Sequence, residues 1–179
     1  MARILLLHST VHGQSRRICE RLQSRLADAG HAAEVAPLGE GASLAGYDAV
    51  VIGASIRHGK HNPAVLEFVR AKLAVLQSMP SAFFSVSLIA RKPTRSTAES
   101  NPYVRTFLER SPWKPALVGV FAGELDYQRY GPFDRYAIRL IMTLTKGPTD
   151  LRTKVEFTDW DAVDRFAGRV AALTNGHAA

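Results

Sequence analysis

The sequence has only one cysteine, no long apolar run and none of the standard nucleotide-binding motifs. The single cysteine, Cys19, rules out an internal disulfide and favours a reducing compartment, where we expect it to be a small buried apolar residue. The apolar run at residues 4–7 is far shorter than the roughly 7–15 residues at the core of a secretory signal. No stretch approaches the ~18 apolar residues of a membrane-spanning helix. We therefore expect a protein of the cytoplasm or of a membrane surface.

Acidic residues are the minority charge, and the signatures of nucleic-acid-binding proteins are absent. The chain contains 23 Lys and Arg against 16 Asp and Glu, a net charge of +7. The basic residues are spread along the chain without a helix-turn-helix, zinc-finger or aromatic RNA-binding pattern, so the sequence predicts no nucleic-acid partner and no metal site. Anionic lipid and a carboxylate-bearing substrate remain as acidic partners. A basic surface that contacts only water is the alternative.

What the sequence does contain is an alternation of short β-like and longer helical patterns. The β-like runs are expected at residues 2–9, 31–38, 47–55, 81–90 and 115–125. Helices are expected between and after them, at residues 13–30, 62–77, 101–111 and 158–174. This alternation predicts a single α/β domain over residues 1–179, with a five-stranded, doubly wound parallel sheet covered by helices on both faces. Ligands of such sheets bind beyond the carboxyl ends of the strands, where the sequence places loops 8–15, 53–62 and 85–97.

One segment does not fit the alternation and is predicted to be an insertion over residues 124–150. Its helical pattern, at about 132–146, begins at Pro132 and stops before Gly147-Pro148. An apolar stripe at helical spacing is expected opposite Arg135 and Arg139, and it contains Phe133, Tyr136, Ala137, Leu140, Ile141 and Leu144. A basic amphipathic helix of this length suits a membrane surface or a quinone contact. The alternative is a helix that folds back on its own domain.

The stretch "LLLHSTVHGQSRRI" (residues 5–18) is a candidate phosphate site between a strand and a helix. Helix N-termini offer unpaired N–H groups and the positive end of the helix dipole. Hydroxyls at Ser9, Thr10 and Ser15, a glycine at Gly13 and the imidazole of His12 add to them. No lysine stands where a Walker loop needs one, so the loop suits a terminal monophosphate better than a nucleoside triphosphate. A simple helix cap is the alternative.

A flat heterocycle would fit the other two loops, where Ile56, His58 and Leu88 could pack on an aromatic ring. A monophosphate joined to such a ring, in this fold, points to FMN. The stretch "RILLLHSTVHGQS" resembles the phosphate loop of flavodoxins, an apolar strand followed by S/T-x-x-G-x-S/T. More specifically, "GASIRHGKH", "SVSLIARKP" and "GPTDLRTKVEFTDW" resemble the bacterial menaquinone-dependent protoporphyrinogen IX dehydrogenases, a flavodoxin-type family of haem biosynthesis. The resemblance covers about residues 3–173.

The resemblance implies strand order 2-1-3-4-5, bound FMN, protoporphyrinogen IX as substrate and menaquinone as electron acceptor on the cytoplasmic side of the cell membrane. It assigns the FMN phosphate to Ser9, Thr10, Val11, His12, Gly13, Gln14 and Ser15. It assigns the flavin ring to Ser55, Ile56, Arg57 and His58 on one side and Ser85, Val86, Ser87 and Leu88 on the other, with Thr149 and Asp150 at its border. Val11 and His12 stand where the family commonly has Arg and Asp. The resemblance therefore implies no role for the side chains of Val11 and His12, whereas their backbone N–H groups can still bind the phosphate.

The chemistry of the implied substrate suggests roles for further residues. Its two propionates need cations, and basic residues fall on the ring-side loops at Arg57, Lys60, Arg91, Lys92 and Arg95. His58 and His61 are the available proton acceptors, but no carboxylate pair or His-Asp dyad marks a general base. Two other functions stay open. An electron-carrying flavodoxin would usually be acidic, which the charge of +7 opposes, whereas an FMN-dependent NAD(P)H:quinone reductase is compatible with the sequence. A homo-oligomer is also an open alternative.

Overall fold

The computed structural model describes residues 1–144 and 146–177. Its helices and strands follow one another as β1 (Arg3–Ser9), α1 (Gln14–Asp28), β2 (Ala32–Pro37), β3 (Ala49–Arg57), β4 (Lys60–His61), α2 (Pro63–Ala71), α3 (Leu73–Ser78), β5 (Ser81–Ser87), α4 (Pro102–Arg110), β6 (Leu117–Ala122), β7 (Glu124–Asp126), α5 (Pro132–Leu144), β8 (Lys154–Glu156) and α6 (Trp160–His177). Short 3₁₀ helices occur at Leu88–Arg91, Pro93–Arg95 and Tyr127–Arg129.

Five parallel strands form the main sheet in the order β2-β1-β3-β5-β6. If the two-residue β4, which pairs antiparallel with β3, is set aside, this is the predicted order 2-1-3-4-5. The flavodoxin-like doubly wound fold is therefore confirmed. The carboxyl ends of β1, β3 and β5 lie side by side, and this edge carries the loops that the sequence predicts to bind a ligand.

Helices cover both faces of the sheet because its central strands are apolar on both sides. Alternate residues of β1 point to opposite faces, so Ile4 and Leu6 pack with α1 and α6, whereas Leu5 and Leu7 pack with α2 and the region around α4. Cys19 of α1 is fully buried in the first of these layers, as predicted. Burial on both faces fixes the register of the strands and so the positions of the loops at their ends.

The helix predicted over residues 62–77 is wrong in its extent. Asn62 caps the start as expected, since its side chain accepts a hydrogen bond from the Ala64 N–H at 3.0 Å. The helix stops at Ala71, however, and a second helix begins at Leu73. Lys72 between them has φ −110° and ψ 14°, which is outside helical geometry. Apolar periodicity alone does not reveal this break, because both helices bury the same face of the pattern.

The fifth predicted strand, residues 115–125, is in fact two strands. β6 ends at Ala122 and, after Gly123, β7 leaves the main sheet to pair antiparallel with β8. The inserted segment therefore closes on itself at Lys154–Glu156, beyond the predicted boundary at residue 150. Three-residue strands are too short to show a period-2 pattern, so nothing in the sequence predicts this pairing.

Helix α5 lies inside the insertion and corresponds to the helix predicted at 132–146. It runs from Pro132 to Leu144; residue 145, within the predicted helix, lies outside the described residues. A small apolar cluster packs α5 against the start of the insertion, with Leu88 and Phe157 packed on its outside; its buried members are Leu125, Tyr127, Tyr130 and Met142. Within the described residues, no helix is both long and apolar enough to span a bilayer.

Candidate functional site

A cavity of about 350 Å³ opens beyond the carboxyl ends of β1, β3 and β5. Its volume is within the range of small-molecule sites, ~300–1,000 Å³. All three predicted ligand loops and the inserted helix α5 contribute to its wall. The lining residues are Thr10, Val11, His12, Gln14, Ser55, Ile56, Arg57, His58, Gly59, Val86, Ser87, Leu88, Ile89, Tyr103, Gly123, Glu124, Tyr130, Asp134, Ala137, Ile138, Ile141 and Met142.

At one end of the cavity, the loop before α1 has the geometry of a phosphate site. Gly13 has φ +90°, a conformation that other residues rarely adopt. Its N–H donates to Thr10 Oγ1 at 3.0 Å, which folds the loop tightly before the helix begins. Gly13 has no side chain to cap α1, so the first-turn N–H groups are free of a capping side chain and face the loop. The Ser15 hydroxyl is buried and has no hydrogen-bond partner in the described part of the chain.

The acidic residues next to this loop are all neutralised. Glu124 pairs with Lys154 at 3.2 Å and lies within 4 Å of Arg17 and Arg129. Arg17 also pairs with Glu156 at 3.3 Å. Because each carboxylate has a cationic partner, the loop can accept an anion without strong repulsion from its neighbours.

The opposite side of the cavity is the hairpin that joins β3 to β4. Its two central residues, His58 and Gly59, have φ values of +49° and +77°, as a tight two-residue hairpin requires. Arg57 Nη2 lies 3.1 Å from one oxygen of Asp134, and His58 Nε2 lies 2.8 Å from the other. These contacts hold the pKa of Asp134 below its usual value, mainly through the hydrogen bond with His58. The Asp134 carboxylate thereby ties α5 to the hairpin across the cavity.

The end of β5 contributes one face of the cavity through Val86, Ser87 and Leu88. The Ser87 hydroxyl is buried and has no hydrogen-bond partner among the residues that the structure describes. A bound group with polar edges would satisfy it. Ser85, in contrast, is fully buried outside the cavity, and its hydroxyl lies 2.9 Å from His61 Nε2.

His61 is half-buried and does not line this cavity. Its ring packs edge-on against Phe83 and Phe107 at 5.5 Å and 5.3 Å between ring centroids. Burial lowers the pKa of His61 to about 4, so its imidazole is neutral at pH 7. The position of His61 does not favour the proton-acceptor role suggested for it by the sequence, because it does not face the cavity.

Because the pKa of His61 is lower in the folded protein than in the unfolded chain, protonation favours unfolding. We expect the free energy of unfolding to fall between pH 6.5 and pH 4, by about 3 kcal/mol from this residue. The measurement is urea unfolding of the wild type and of His61→Gln, which cannot titrate, across this pH range. The difference between the two proteins should change with pH in this window, and a constant difference would contradict the assignment.

Several predicted site residues lie away from the cavity wall. Thr149 and Asp150 are exposed in the segment after α5, and Ser9, Gly13 and Ser15 belong to the loop at the phosphate end but are not among the lining residues. These assignments stay predictions.

The predicted carboxylate-binding cations have diverse surroundings. Arg57 is paired with Asp134, and Arg95 donates to the Ser100 carbonyl oxygen. Arg91 is half-buried beneath the insertion, where it donates to the Leu88 carbonyl oxygen and lies over the Phe157 ring, 5.7 Å from its centroid. Burial lowers the pKa of Arg91 from its ordinary value. Lys60 and Lys92 make no ion pair within the described residues.

The structure adds one detail to the interpretation of α5. Its predicted apolar stripe shares one face and Arg135 lies across from it, as predicted, but Arg135 is half-buried. Arg135 points inward and donates to the backbone carbonyls of Tyr127 at 3.0 Å and Tyr130 at 3.4 Å. The inward face of the helix also carries Ile138 and Met142, which line the cavity.

Sequence reasoning missed the residues that the insertion brings to the cavity. Tyr130 contacts the His12 ring at 5.0 Å between centroids, and Arg129 donates to the His12 carbonyl oxygen at 3.1 Å. These contacts join segments more than 115 positions apart in the chain. The one feature of the sequence that could have indicated these contacts is the set of apolar residues on the inward face of α5.

Comparisons with known proteins agree with this geometry. The chain matches the model of the flavodoxin domain family over residues 5–152. It is 47% identical over 173 residues to protoporphyrinogen IX dehydrogenase (quinone) of Escherichia coli, covering 96% of each chain. A protein of the same name from Leishmania major is 46% identical over 172 residues, covering 94% of this chain and 74% of that one.

Solved structures share the fold at low sequence identity. A cysteine-to-alanine mutant of flavodoxin from Pseudomonas aeruginosa superposes with a TM-score of 0.53 at 14% identity, covering 97% of this chain and 99% of that one. The rubredoxin:oxygen oxidoreductase of Desulfovibrio gigas gives a TM-score of 0.56 at 12% identity, covering 99% of this chain and 37% of that one. At these identities the likeness is one of fold alone.

Proposed function

Because the chain belongs to the flavodoxin family, and within it is 47% identical to a quinone-dependent protoporphyrinogen IX dehydrogenase, we propose that it catalyses that reaction. It binds FMN, dehydrogenates protoporphyrinogen IX to protoporphyrin IX in haem biosynthesis, and passes the electrons to a quinone. The observation that carries the proposal is the cavity, in which a phosphate loop and a ring-sized space are joined and covered by an inserted helix.

The residues present fit FMN. The first-turn N–H groups of α1 and the buried hydroxyl of Ser15 would hold the phosphate. Ile56 and Leu88 offer apolar surface for the ring, and the unpaired hydroxyl of Ser87 would meet one of its polar edges. Val11 is exposed and His12 packs on Tyr130, so neither replaces the side chains that the family commonly has there.

When bound, FMN supplies the two-electron redox chemistry. The protein's part is to position the substrate and to exclude water. Helix α5, held to the hairpin by Asp134, closes one side of the cavity, and Tyr130 closes the phosphate end. Each of the three dehydrogenations also releases a proton. Water and the pyrrole nitrogens can accept it, so no dedicated general base is required. The cavity carboxylates Glu124 and Asp134 are both held in ion pairs.

The test of the reaction is a steady-state assay of the FMN-loaded protein. We expect oxidation of protoporphyrinogen IX that depends on added menaquinone or a soluble analogue and that needs no pyridine nucleotide. Oxidation of NADPH with quinone and no turnover of porphyrinogen would instead identify an NAD(P)H:quinone reductase. If the protein shows neither activity, but a partner reductase reduces its flavin, it would be identified as an electron carrier.

We extend this proposal in two ways. Menaquinone is the electron acceptor, and the protein acts at the cytoplasmic surface of the membrane. Helix α5 exposes a row of large apolar side chains, with exposed fractions of 92% for Phe133, 62% for Leu140 and 76% for Leu144. Such a row is unusual on a surface that contacts only water. The net charge of +7 favours an anionic lipid surface as its occupant. Ala137 and Ile141 border both this row and the cavity, which gives a lipid-soluble quinone a direct route.

Leu144→Glu should therefore weaken binding to anionic phospholipid vesicles about 30-fold, since it removes an exposed apolar side chain that would be buried in the lipid and adds a charge that lipid repels. Val75→Glu is the matched control, because Val75 is also an exposed apolar residue but lies on α3. Vesicle sedimentation measures both, with FMN absorbance as the check on folding. Equal binding of the two variants, or a wild type that stays in the supernatant, would contradict the membrane role.

A further inference from the structure

A second cavity, of about 300 Å³, lies between α2 and α4. Three of its lining residues are cations, Lys60, Arg70 and Arg110, and one, Glu67, is an anion. None of these four side chains makes an ion pair or a hydrogen bond within the described residues. The remaining lining residues are Gly59, His61, Asn62, Pro63, Leu66, Tyr103, Thr106 and Phe107. We call this cavity the basic cleft.

The basic cleft adjoins the cavity beyond β1, β3 and β5, which we call the FMN cavity because it is the proposed site of FMN. Gly59 and Tyr103 line both, so the two spaces are separated by one hairpin residue and one half-buried tyrosine. On α4, Tyr103, Phe107 and Arg110 follow one another at helical spacing and share a face. Arg110 therefore stands two turns, about 10 Å, from the border with the FMN cavity. A flat ligand that leaves the FMN cavity past Tyr103 would bring its outer edge to the cations of the cleft.

In the described part of the chain, no Lys or Arg that lines the FMN cavity is without an acidic partner. Arg57 is bound to Asp134, and Arg91 lies beneath the insertion. A carboxylate that enters without a partner loses its hydration without compensation. The negatively charged side of a substrate is thus better placed in the basic cleft.

From this juxtaposition we propose that the basic cleft binds the carboxylate-bearing edge of a tetrapyrrole substrate, with Arg70 and Arg110 as its carboxylate ligands. The inference rests on the proposed function. The two propionates of protoporphyrinogen IX lie on neighbouring pyrroles, so one edge of the molecule carries both. Guanidinium groups bind carboxylates through two parallel hydrogen bonds, and one on each helix suits two propionates. Leu66 and Phe107 supply apolar contact for the hydrocarbon arms.

The test compares two double variants of the full-length, FMN-loaded protein. Arg70→Gln with Arg110→Gln removes the cleft cations. Lys72→Gln with Arg105→Gln removes the same charge from neighbouring positions outside the cleft. Titration with the fluorescent product protoporphyrin IX should give a dissociation constant at least 30-fold higher for the cleft variant and within twofold of wild type for the control. KM for protoporphyrinogen should rise in parallel, while kcat and FMN affinity stay unchanged.

A second comparison uses the wild type and does not depend on the folding of a variant. Protoporphyrin IX dimethyl ester, in which both carboxylates are masked, should bind at least 30-fold more weakly than the free acid, and added salt should weaken only the acid. Equal binding of acid and ester, or equal effects of the two double variants, would overturn the assignment of the cleft. If instead the wild type does not oxidise protoporphyrinogen at all, the proposed function fails first, and the two failures are distinguishable.

Discussion

Replacing Thr10 with aspartate is expected to weaken FMN binding about 100-fold or more. Thr10 Oγ1 accepts the Gly13 N–H at 3.0 Å, so a carboxylate at this position would lie inside the phosphate loop. There it would take hydrogen bonds meant for the phosphate and repel it. Two like charges about 5 Å apart at an effective dielectric constant near 20 repel by about 3 kcal/mol. Quenching of FMN fluorescence on titration with the FMN-free protein measures the effect.

Thr10→Asn is the matched control, because it keeps an acceptor of similar size without the charge. We expect it to lose no more than tenfold in affinity. If aspartate and asparagine weaken FMN binding equally, the effect is one of loop shape, and the loop does not hold the phosphate.

Gly53→Ala is expected to have the largest effect on stability, lowering the free energy of unfolding by about 3 kcal/mol. A Cβ atom at Gly53 would lie 2.0 Å from Cζ of Phe84, its partner on the neighbouring strand β5. The Phe84 ring cannot move away freely, because Phe121 and Phe166 contact it with ring centroids 5.7 Å and 6.4 Å distant. Urea unfolding monitored by circular dichroism gives the change.

Gly39→Ala serves as its control, since a Cβ there meets no atom within 4 Å and the backbone needs no positive φ. It should change the free energy of unfolding by no more than about 0.5 kcal/mol. A Gly53→Ala protein as stable as this control would mean that the strands β3 and β5 are not packed in the register described.

Those parts of the fold that depend on local pattern could be predicted from the sequence. The apolar runs of β1 and β3 are buried on both faces, and Asn62 and Asn101 cap their helices as their positions before proline suggest. The loop before α1 is recognisable as a candidate phosphate site because hydroxyls, Gly13 and a helix start occur within a few residues of each other. Each of these features depends on neighbours in the chain.

The insertion could not be predicted to the same depth, because its structure depends on contacts distant in sequence. The predicted apolar stripe of α5 is its exposed face, whereas Ile138 and Met142 on the opposite face pack inward, so periodicity could not decide which face is buried. The ties of Asp134 to Arg57 and His58, and of Arg135 to the backbone of the preceding turn, decide it. Arg70 and Arg110 could not be predicted to share a cleft either, because they lie on separate helices and belong to no local motif.

The proposed function requires that electrons leave protoporphyrinogen through the bound FMN and reach a quinone. The most direct measurement is anaerobic mixing of the FMN-loaded protein with protoporphyrinogen IX, followed by flavin absorbance near 450 nm. We predict loss of this absorbance without any pyridine nucleotide or quinone. When a menaquinone analogue is added, the absorbance should recover and oxidised porphyrin should be released, because each FMN accepts only two electrons and the three dehydrogenations need repeated reoxidation. If protoporphyrinogen leaves the flavin fully oxidised and NADPH reduces it, this path of electrons is contradicted.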